Sequence, residues 1–529
     1  MKNSSKPFGR SKRAENRAAA CMAGAFFLVS ALCHAATPAV SCENLAKLAL
    51  PDTTITMAQP VAAGEFKMPA NGMGPGAPQK SIDVSSLPAF CRVAATLKPS
   101  SDSNIRIEVW LPMPDWNGKF MGVGGGGWSG NINYERLIDG LRQGYAVANT
   151  DSGHDNTKPE EAGGRFLPGH PEKLIDYGYR AVHLMTLRSK DITTTFYGSA
   201  PKHSYFLGGS RGGYEAITEA NRYPADYDGI CAGWPANPFV LFNAEQIWPS
   251  WLINQKPERL IPQSKYAMIH AEVLKECDEL DGVKDGLLEN PQACHFDPKV
   301  LLCKGADAPD CLTAPQVELL QKTYQGPVNP RTGEVIFPGP PVGDEIAEMY
   351  RFAMPEPQSV ALDMFKYVVF QDPNWDWKTM NWDSDIDKAL AVTKPVLYTE
   401  PNFKAYIDRG GKLMIYSAWI NYHNPAQFVD YYKKAVKNVG ADKAANSLLL
   451  FTIPGVFRPE TLFDQANLID EWVENGKTPY EFTGTYFADG KVLRTRPICA
   501  YPKVAQYKGT GSTDEAANFV CAESKFNEK

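Results

Sequence analysis

The chain has 529 residues, of which 43% are hydrophobic and 22% charged, and its formal net charge is -6. This composition is typical of a globular enzyme, and the length suffices for one large domain with an insertion or for two domains. No basic stripe is interleaved with aromatic residues, so we exclude a nucleic-acid partner from the functions considered.

The first 35 residues predict a signal peptide. Several basic residues precede an apolar stretch over 18–32, and Cys33-His34-Ala35 supplies small residues at a cleavage position. The apolar stretch is short for a stable membrane span. Leu32 before Cys33 fits a lipid-attachment motif poorly. We therefore expect a periplasmic or secreted protein.

Cysteine usage agrees with export. Nine of the eleven cysteines lie outside the predicted signal peptide, and an oxidising compartment favours their pairing. The spacing predicts four disulfides: Cys42 with Cys91, Cys277 with Cys294, Cys303 with Cys311, and Cys499 with Cys521. Cys231 is left over in an apolar segment, which indicates a buried free thiol.

The predicted elements begin with a segment over 37–100 that is rich in proline, glycine and small residues, with a helix-like stretch at 42–50. Strands are then expected at 105–111, 119–123 and 145–151, and a helix at about 176–193. The next strand leads into Gly208-Gly209-Ser210-Arg211-Gly212, the only G-x-S-x-G match in the chain, and a helix follows. This motif predicts a nucleophile elbow, because flanking glycines let strand and helix approach closely.

The pattern changes over 239–400, where prolines, tryptophans, cysteines and acidic loops replace the alternation of strands and helices. Strands are expected again at 412–416 and 448–453, and a final amphipathic helix at 468–473 ends before Gly476. Alternating strands and helices predict an α/β fold with a mainly parallel sheet, helices on both faces, and one large insertion.

Several further motifs resemble one known family. They are Trp116-Asn117-Gly118-Lys119-Phe120, Thr150-Asp151-Ser152-Gly153-His154-Asp155, the segment 222–229, Arg409-Gly410-Gly411-Lys412-Leu413 and Arg494-Thr495-Arg496-Pro497-Ile498-Cys499. With the elbow, they make the chain similar to the tannase and feruloyl esterase family from about Cys42 to Cys521. The resemblance implies an α/β-hydrolase core over 36–238 and 401–529, with a lid domain inserted over 239–400.

The resemblance also implies an ester hydrolase with Ser210 as its nucleophile. The expected oxyanion donors are the backbone amides of Arg211 and Gly125, the latter in a glycine run that directly follows a strand. A flexible turn is the alternative interpretation of that run.

The rest of the family's catalytic set is replaced. Its aspartate falls on Asn421 and its histidine on Arg458, while both cysteines of its active-site disulfide are lost, at Gly209 and Pro459. Arginine cannot act as a base near neutral pH. His423, two residues beyond Asn421, is the predicted substitute base, and a histidine that only packs its loop is the alternative. Arg458 and Arg211 are also candidates for binding a carboxylate on the substrate.

An acidic, glycine-punctuated loop over 277–290 resembles the calcium site in the family's lid. The resemblance implies side-chain ligands from Asp278, Asp281 and Asp285 and carbonyl ligands from Val283 and Leu287, for a structural calcium ion. The spacing alone fits an acidic surface turn equally well.

Three functions remain open at this point. The first is an exported serine esterase acting on an aromatic carboxylic ester through Ser210 with a non-standard base. The second is a catalytically impaired relative that binds an aromatic or carboxylate ligand. The third is a lyase or isomerase that reuses the pocket.

Overall fold

A nine-stranded mixed sheet, in the order β1-β2-β3-β5-β4-β6-β7-β8-β9, runs through the protein. The strands β1 to β3 and β5 pair antiparallel, whereas β5, β4 and β6 to β9 pair parallel. In chain order they are β1 (Thr53–Val61), β2 (Phe90–Leu97), β3 (Ile105–Pro112), β4 (Lys119–Val123), β5 (Ala146–Thr150), β6 (His203–Gly209), β7 (Gly229–Gly233), β8 (Lys412–Ala418) and β9 (Leu448–Ile453).

These features come from a computed structural model that describes residues 38–69, 82–349, 353–421, 423–455, 462–488 and 490–524. The predicted signal peptide at 1–35 and Arg458 lie outside the described residues.

Thirteen α-helices are described. They are α1 (Tyr134–Arg142), α2 (Pro171–Ile175), α3 (Ala181–Tyr197), α4 (Arg211–Arg222), α5 (Phe239–Gln255), α6 (Tyr266–Cys277), α7 (Ala314–Gln325), α8 (Ser359–Asp363), α9 (Ser384–Leu397), α10 (Lys404–Asp408), α11 (Pro425–Val439), α12 (Ala441–Ala445) and α13 (Gln465–Asn475). A π-helical segment, Asp176–Arg180, joins α2 to α3.

The α/β class predicted from the alternation of strands and helices is confirmed. Strands β3, β4, β5, β6, β8 and β9 and helices α3, α4 and α13 lie where the pattern predicts them, within a few residues. The parallel strands β4 to β7 are buried along their length apart from the first residue of β6, as expected for a sheet covered on both faces. Strands β1, β2 and β7 and the C-terminal strands were not predicted.

The chain after α13 forms two antiparallel pairs outside the main sheet. One pair is β10 (Glu481–Ala488) with β11 (Lys491–Cys499), and the other is β12 (Lys503–Tyr507) with β13 (Phe519–Glu523). The side chain of Tyr486 is buried against the main core, so the first pair packs against the sheet.

The long segment between β7 and β8 has its own hydrophobic cluster. Its buried members come mostly from α5 to α9 and are joined by a few core residues, among them Trp128 and Tyr177. The main cluster follows the sheet and its flanking helices. This arrangement is that of an insertion packed on a core, while the boundaries drawn at 239 and 400 remain predictions.

All four expected disulfides are formed: Cys42–Cys91, Cys277–Cys294, Cys303–Cys311 and Cys499–Cys521. Cys231 is a buried free thiol, as predicted. Within the part of the chain that the structure describes, no helix combines the length and apolar character needed to cross a bilayer.

The close approach of α4 to β7 generates a stability prediction. A Cβ atom added at Gly213 would lie well inside van der Waals contact of the Gly233 carbonyl oxygen, which is backbone and cannot swing away. We expect Gly213→Ala to lower the free energy of unfolding by about 1–3 kcal/mol in urea melts. Gly305→Ala is the matched control, because nothing lies within 4 Å of a Cβ there. Equal stability of the two variants would contradict the close packing of the elbow.

Candidate active site

Ser210 lies at the turn between β6 and α4 in a conformation that non-glycine residues rarely adopt, with φ 59° and ψ -119°. The turn is held by its backbone: the Ser210 amide donates to the Gly233 carbonyl (2.9 Å), and the Ser210 carbonyl accepts from the Ala236 amide (3.1 Å). Such strain persists only where the surrounding structure enforces it, as at a nucleophile elbow. The predicted elbow is therefore present, with its hydroxyl at the carboxyl end of the parallel strands.

The residue before the nucleophile leaves no room for a larger side chain. A Cβ atom at Gly209 would lie 2.6 Å from Cζ2 of Trp234, and the Trp234 ring packs edge-on against Tyr416. Trp234 thus fills the space beneath Ser210 at the position where the family has one half of its disulfide.

His423 lies beside the nucleophile. Its Nε2 atom is 3.0 Å from Ser210 Oγ, which is hydrogen-bonding distance for a serine and its base. Both residues come from loops that follow parallel strands, Ser210 after β6 and His423 after β8. The structure thus brings together the predicted nucleophile and the predicted substitute base.

Asn421 contacts the other side of the imidazole. Its Oδ1 atom lies 2.9 Å from the backbone nitrogen of His423 and 3.0 Å from His423 Nδ1. A backbone N–H can only donate, so the asparagine atom facing it must be the oxygen. The same oxygen then accepts a hydrogen bond from Nδ1–H, which leaves the lone pair of Nε2 directed at the serine hydroxyl. Asn421 therefore sets the imidazole tautomer that a general base requires.

Burial keeps His423 neutral. The side chain is fully buried, and desolvation lowers its pKa from 6.5 to about 3. One face of the ring stacks on Phe242 of α5, with ring centroids 4.3 Å apart and planes inclined by 15°. The base is thus unprotonated over the whole neutral range, and its orienting partner is an uncharged amide.

The expected second oxyanion donor needs correction. The Gly125 amide donates to Glu215 Oε2 (2.9 Å), so a carboxylate on α4 already uses it. Tyr177 donates from its hydroxyl to the Gly127 carbonyl (2.7 Å), and the glycine loop is therefore fixed at both ends. The Arg211 amide remains at the first position of α4, where helix N-terminal N–H groups bind negative charge.

The Arg211 side chain does not face a substrate. Its guanidinium is 1% exposed, pairs with Glu215 (2.6 Å) and stacks over the Tyr177 ring at 4.1 Å. We therefore discard Arg211 as a carboxylate-binding residue, because its charge is neutralised inside the core.

The acidic loop at 278–289 closes on itself. Asp278 Oδ1 accepts from the Gly286 amide (3.0 Å), Asp281 Oδ1 from the Val283 amide (3.1 Å), and Asp285 Oδ1 from the Leu287 amide (3.2 Å). Asp285 also forms an ion pair with the buried Arg496. The three predicted carboxylates thus lie on one loop, and Arg496 of β11 holds that loop against the hairpin formed by β10 and β11.

A fourth carboxylate joins them. Glu289 is 5% exposed, and its Oε2 atom has no hydrogen-bond partner among the described residues. Burial raises the pKa of both Asp281 and Glu289 to about 7. Asp285 pairs with the guanidiniums of both Arg494 (3.6 Å) and Arg496. The cluster thus has four carboxylates against two guanidiniums, and this excess negative charge and the orphaned oxygen suit a divalent cation with oxygen ligands.

Sequence reasoning missed several residues around the site. The i,i+4 spacing of Arg211 and Glu215 is a signal for their ion pair, and Asn424 before Pro425 is a signal for a helix N-terminus. Nothing in the sequence indicates that Phe242 or Trp234 contacts the site, because both contacts join segments far apart in the chain.

Comparisons with known proteins agree with this geometry. The family model described as tannase and feruloyl esterase matches residues 91–522. An uncharacterized esterase of Xanthomonas campestris is 32% identical, covering 94% of this chain and 93% of the relative. A probable feruloyl esterase B-2 of Aspergillus flavus is 31% identical, covering 81% and 85%.

Solved structures are similar over most of their length. The crystal structure of feruloyl esterase B from Aspergillus oryzae aligns with a TM-score of 0.82 and 26% identity, covering 91% of this chain and 99% of that one. Tannin acyl hydrolase from Aspergillus niger aligns with a TM-score of 0.72 and 19% identity, covering 89% and 92%, and shares the fold. The chain therefore belongs to the tannase and feruloyl esterase family and is a carboxylic ester hydrolase.

Proposed function

We propose that the chain is an exported serine esterase that hydrolyses an aromatic carboxylic ester, with Ser210 as nucleophile, His423 as base and Asn421 as the residue that orients the base. The observation that carries the proposal is the 3.0 Å contact between Ser210 Oγ and His423 Nε2, with Asn421 Oδ1 on the opposite ring nitrogen.

The reaction follows from these contacts. His423 Nε2 takes the hydroxyl proton as Ser210 Oγ attacks the ester carbonyl, and the new imidazolium returns the proton to the departing alcohol oxygen. Water then attacks the carbonyl of the acyl-enzyme as the same nitrogen takes one of its protons. The tetrahedral intermediate collapses, His423 returns that proton to Ser210 Oγ, and the carboxylic acid leaves. The Arg211 amide stabilises the oxyanion both when the acyl-enzyme forms and when it is hydrolysed. The Gly125 amide is already bound to Glu215, so the Arg211 amide is the one oxyanion donor that we assign.

An asparagine in the orienting position lowers kcat less here than it does in a serine protease. Replacing the triad aspartate there costs about four orders of magnitude, because the imidazole adopts the wrong tautomer. In this chain the backbone amide of His423 fixes the asparagine oxygen toward Nδ1, so the tautomer is right. Only the stabilisation of the imidazolium by a full negative charge is lost.

The substrate class rests on the relatives and on the walls of the site. Similar proteins carry the name feruloyl esterase, and the feruloyl group is an aromatic acyl group. In this chain Phe239 and Phe242 stack with centroids 6.4 Å apart beside the base, and Trp128 packs against Phe239 at 5.5 Å. These three rings are buried in the hydrophobic cluster of the insertion, so they give the base an aromatic surrounding that is compatible with an aryl ester.

Export and a structural calcium ion complete the proposal. Four disulfides and the basic and apolar pattern of the first 35 residues favour the periplasm or the exterior. For calcium, Asp278, Asp281 and Asp285, joined by Glu289, would hold the ion with the carbonyls of Val283 and Leu287. The ion would neutralise buried carboxylates and fix the loop beside the Cys277–Cys294 disulfide.

The first prediction concerns the nucleophile and base. Ser210→Ala and His423→Gln are expected to lower kcat for methyl ferulate by about three orders of magnitude or more. Circular dichroism spectra are expected to show that both variants are folded. Labelling by a fluorophosphonate is expected in the parent protein and absent in Ser210→Ala. His295→Gln, which changes an exposed histidine, is the control. Turnover that persists in His423→Gln would contradict the assigned base.

A second prediction concerns pH. A base must be neutral, and the His423 pKa of about 3 places the acid limb of the kcat/KM profile well below pH 5. Asn421→Asp adds a negative charge that favours the imidazolium. The variant is therefore expected to raise kcat about tenfold and to move the acid limb to higher pH. Asn467→Asp, on the exposed side of α13, is the control. An acid limb that stays in place in Asn421→Asp would count against the assignment.

A third prediction concerns calcium. Chelation is expected to lower Tm and added Ca²⁺ to restore it, because a ligand at 100 times its Kd stabilises the folded state by about 2.7 kcal/mol. Asp281→Asn is expected to abolish both this response and calcium binding in calorimetry. Glu279→Gln, on the same loop but 73% exposed, is expected to keep both. A Tm unaffected by chelator and by Ca²⁺ would exclude the site.

A further inference from the structure

We propose that Asn424 and Phe242 are positioning residues for the base, so that the segment inserted between β7 and β8 holds His423 in line with Ser210. This inference rests on the proposed function, since it assigns the base to His423. It adds that the lid takes part in assembling the catalytic set as well as covering it.

Asn424 joins the base loop to the insertion. It lies directly after His423, with a φ of 37°, and its Oδ1 accepts from the Ala426 amide (3.0 Å) as the N-cap of α11. Its Nδ2 group donates in the other direction, to the carbonyls of Pro338 (3.1 Å) and Gly339. One buried amide therefore contacts the core helix and the insertion at the same time.

The carbonyls that Asn424 binds are held rigidly. A Cβ atom at Gly339 would collide with the Thr323 carbonyl at the end of α7, and one at Gly326 would collide with the Phe337 carbonyl. The Gly326 amide donates to the last turn of α7, to Lys322 (3.1 Å) and Thr323 (3.1 Å). Residues 337–339 are thus fixed against α7, and they hold the loop that carries His423 and Asn424.

Phe242 supports the imidazole from its face. The ring belongs to α5, the first helix of the inserted segment, is 3% exposed, and stacks on His423 at 4.3 Å. Stacking restrains rotation of the ring out of its plane, whereas Asn421 sets its orientation within the plane. Two restraints on the base, the stacked ring of Phe242 and the hydrogen bonds of Asn424, therefore involve the insertion.

These contacts couple the position of the lid to catalysis. Asn424 is 2% exposed, so separation of residues 337–339 from the base loop would leave its amide protons without acceptors in a buried environment. The Nε2 to Oγ alignment depends on the same loop. Loss of the lid contacts is therefore expected to reduce kcat, which requires alignment, far more than it changes KM.

The test uses two variants of the full mature chain. Asn424→Asp keeps the oxygen that caps α11 but replaces the donor group with an oxygen facing two carbonyls. Phe242→Leu keeps an apolar side chain and removes the aromatic face. Each is expected to lower kcat for methyl ferulate 10- to 100-fold while KM changes less than threefold. Asn133→Asp makes the same chemical change at the N-cap of α1 and is expected to retain parental kcat.

A spectroscopic readout separates positioning from general damage. In ¹⁵N-labelled protein, the His423 ring signal, assigned by its absence in His423→Gln, is expected to report a single Nδ1–H tautomer in the parent. In both variants it is expected to broaden or to become a tautomer mixture. Parental kcat with an unchanged signal would overturn the proposal. A fall in kcat with an unchanged signal would also overturn it, because the effect would not pass through the base.

The same experiment separates this inference from the proposed function. If the parent protein shows no Ser210-dependent turnover of methyl ferulate and no fluorophosphonate labelling, the proposed function fails. The ring signal of His423 then tests only whether Asn424 and Phe242 position the imidazole. A changed signal in the two variants supports that role, and an unchanged signal excludes it.

Discussion

The proposed active site depends on one oxygen atom, Oδ1 of Asn421, which accepts two hydrogen bonds from the same histidine. The backbone amide of His423 donates to the asparagine oxygen and so determines which end of the asparagine faces the ring. The ring nitrogen Nδ1 then donates a hydrogen bond to the same oxygen. An asparagine on a separate loop would lack this constraint and could equally present its amino group. Because base and orienting residue are two positions apart on one turn, the uncharged partner still selects the productive tautomer.

The other departures from the family's pattern are compensated around this pair. The family joins its nucleophile and base loops by a disulfide, and this chain has Gly209 with Trp234 packed beneath it. In place of a covalent link, His423 is held by a stacked phenyl ring and by its neighbour's hydrogen bonds to residues 338 and 339. Close packing holds interior side chains in single rotamers, so these contacts restrain His423 without a covalent link.

The sequence predicts the fold well because the strands β4 to β6, β8 and β9 are apolar runs bounded by glycine or polar residues, each followed by a recognisable loop. Ser210 and the disulfides were predictable for the same reason, since their signals are local. The elements that were missed have weak local signals: β1 is partly exposed at the sheet edge, and β7 begins and ends with glycine. The bond between Gly125 and Glu215 was missed because it joins residues 90 positions apart.

The proposed relocation of the base has a physical explanation in the sheet. Strands β8 and β9 are adjacent and parallel, so the loops after them reach the same edge, and either can place a side chain beside Ser210. The loop after β8 is buried: Asn421 and His423 are both 0% exposed. A carboxylate there would have to be desolvated, at a cost of several kcal/mol. An amide avoids that desolvation cost. In return, it stabilises the imidazolium less than a carboxylate would. The asparagine is therefore consistent with a base that works in a buried environment.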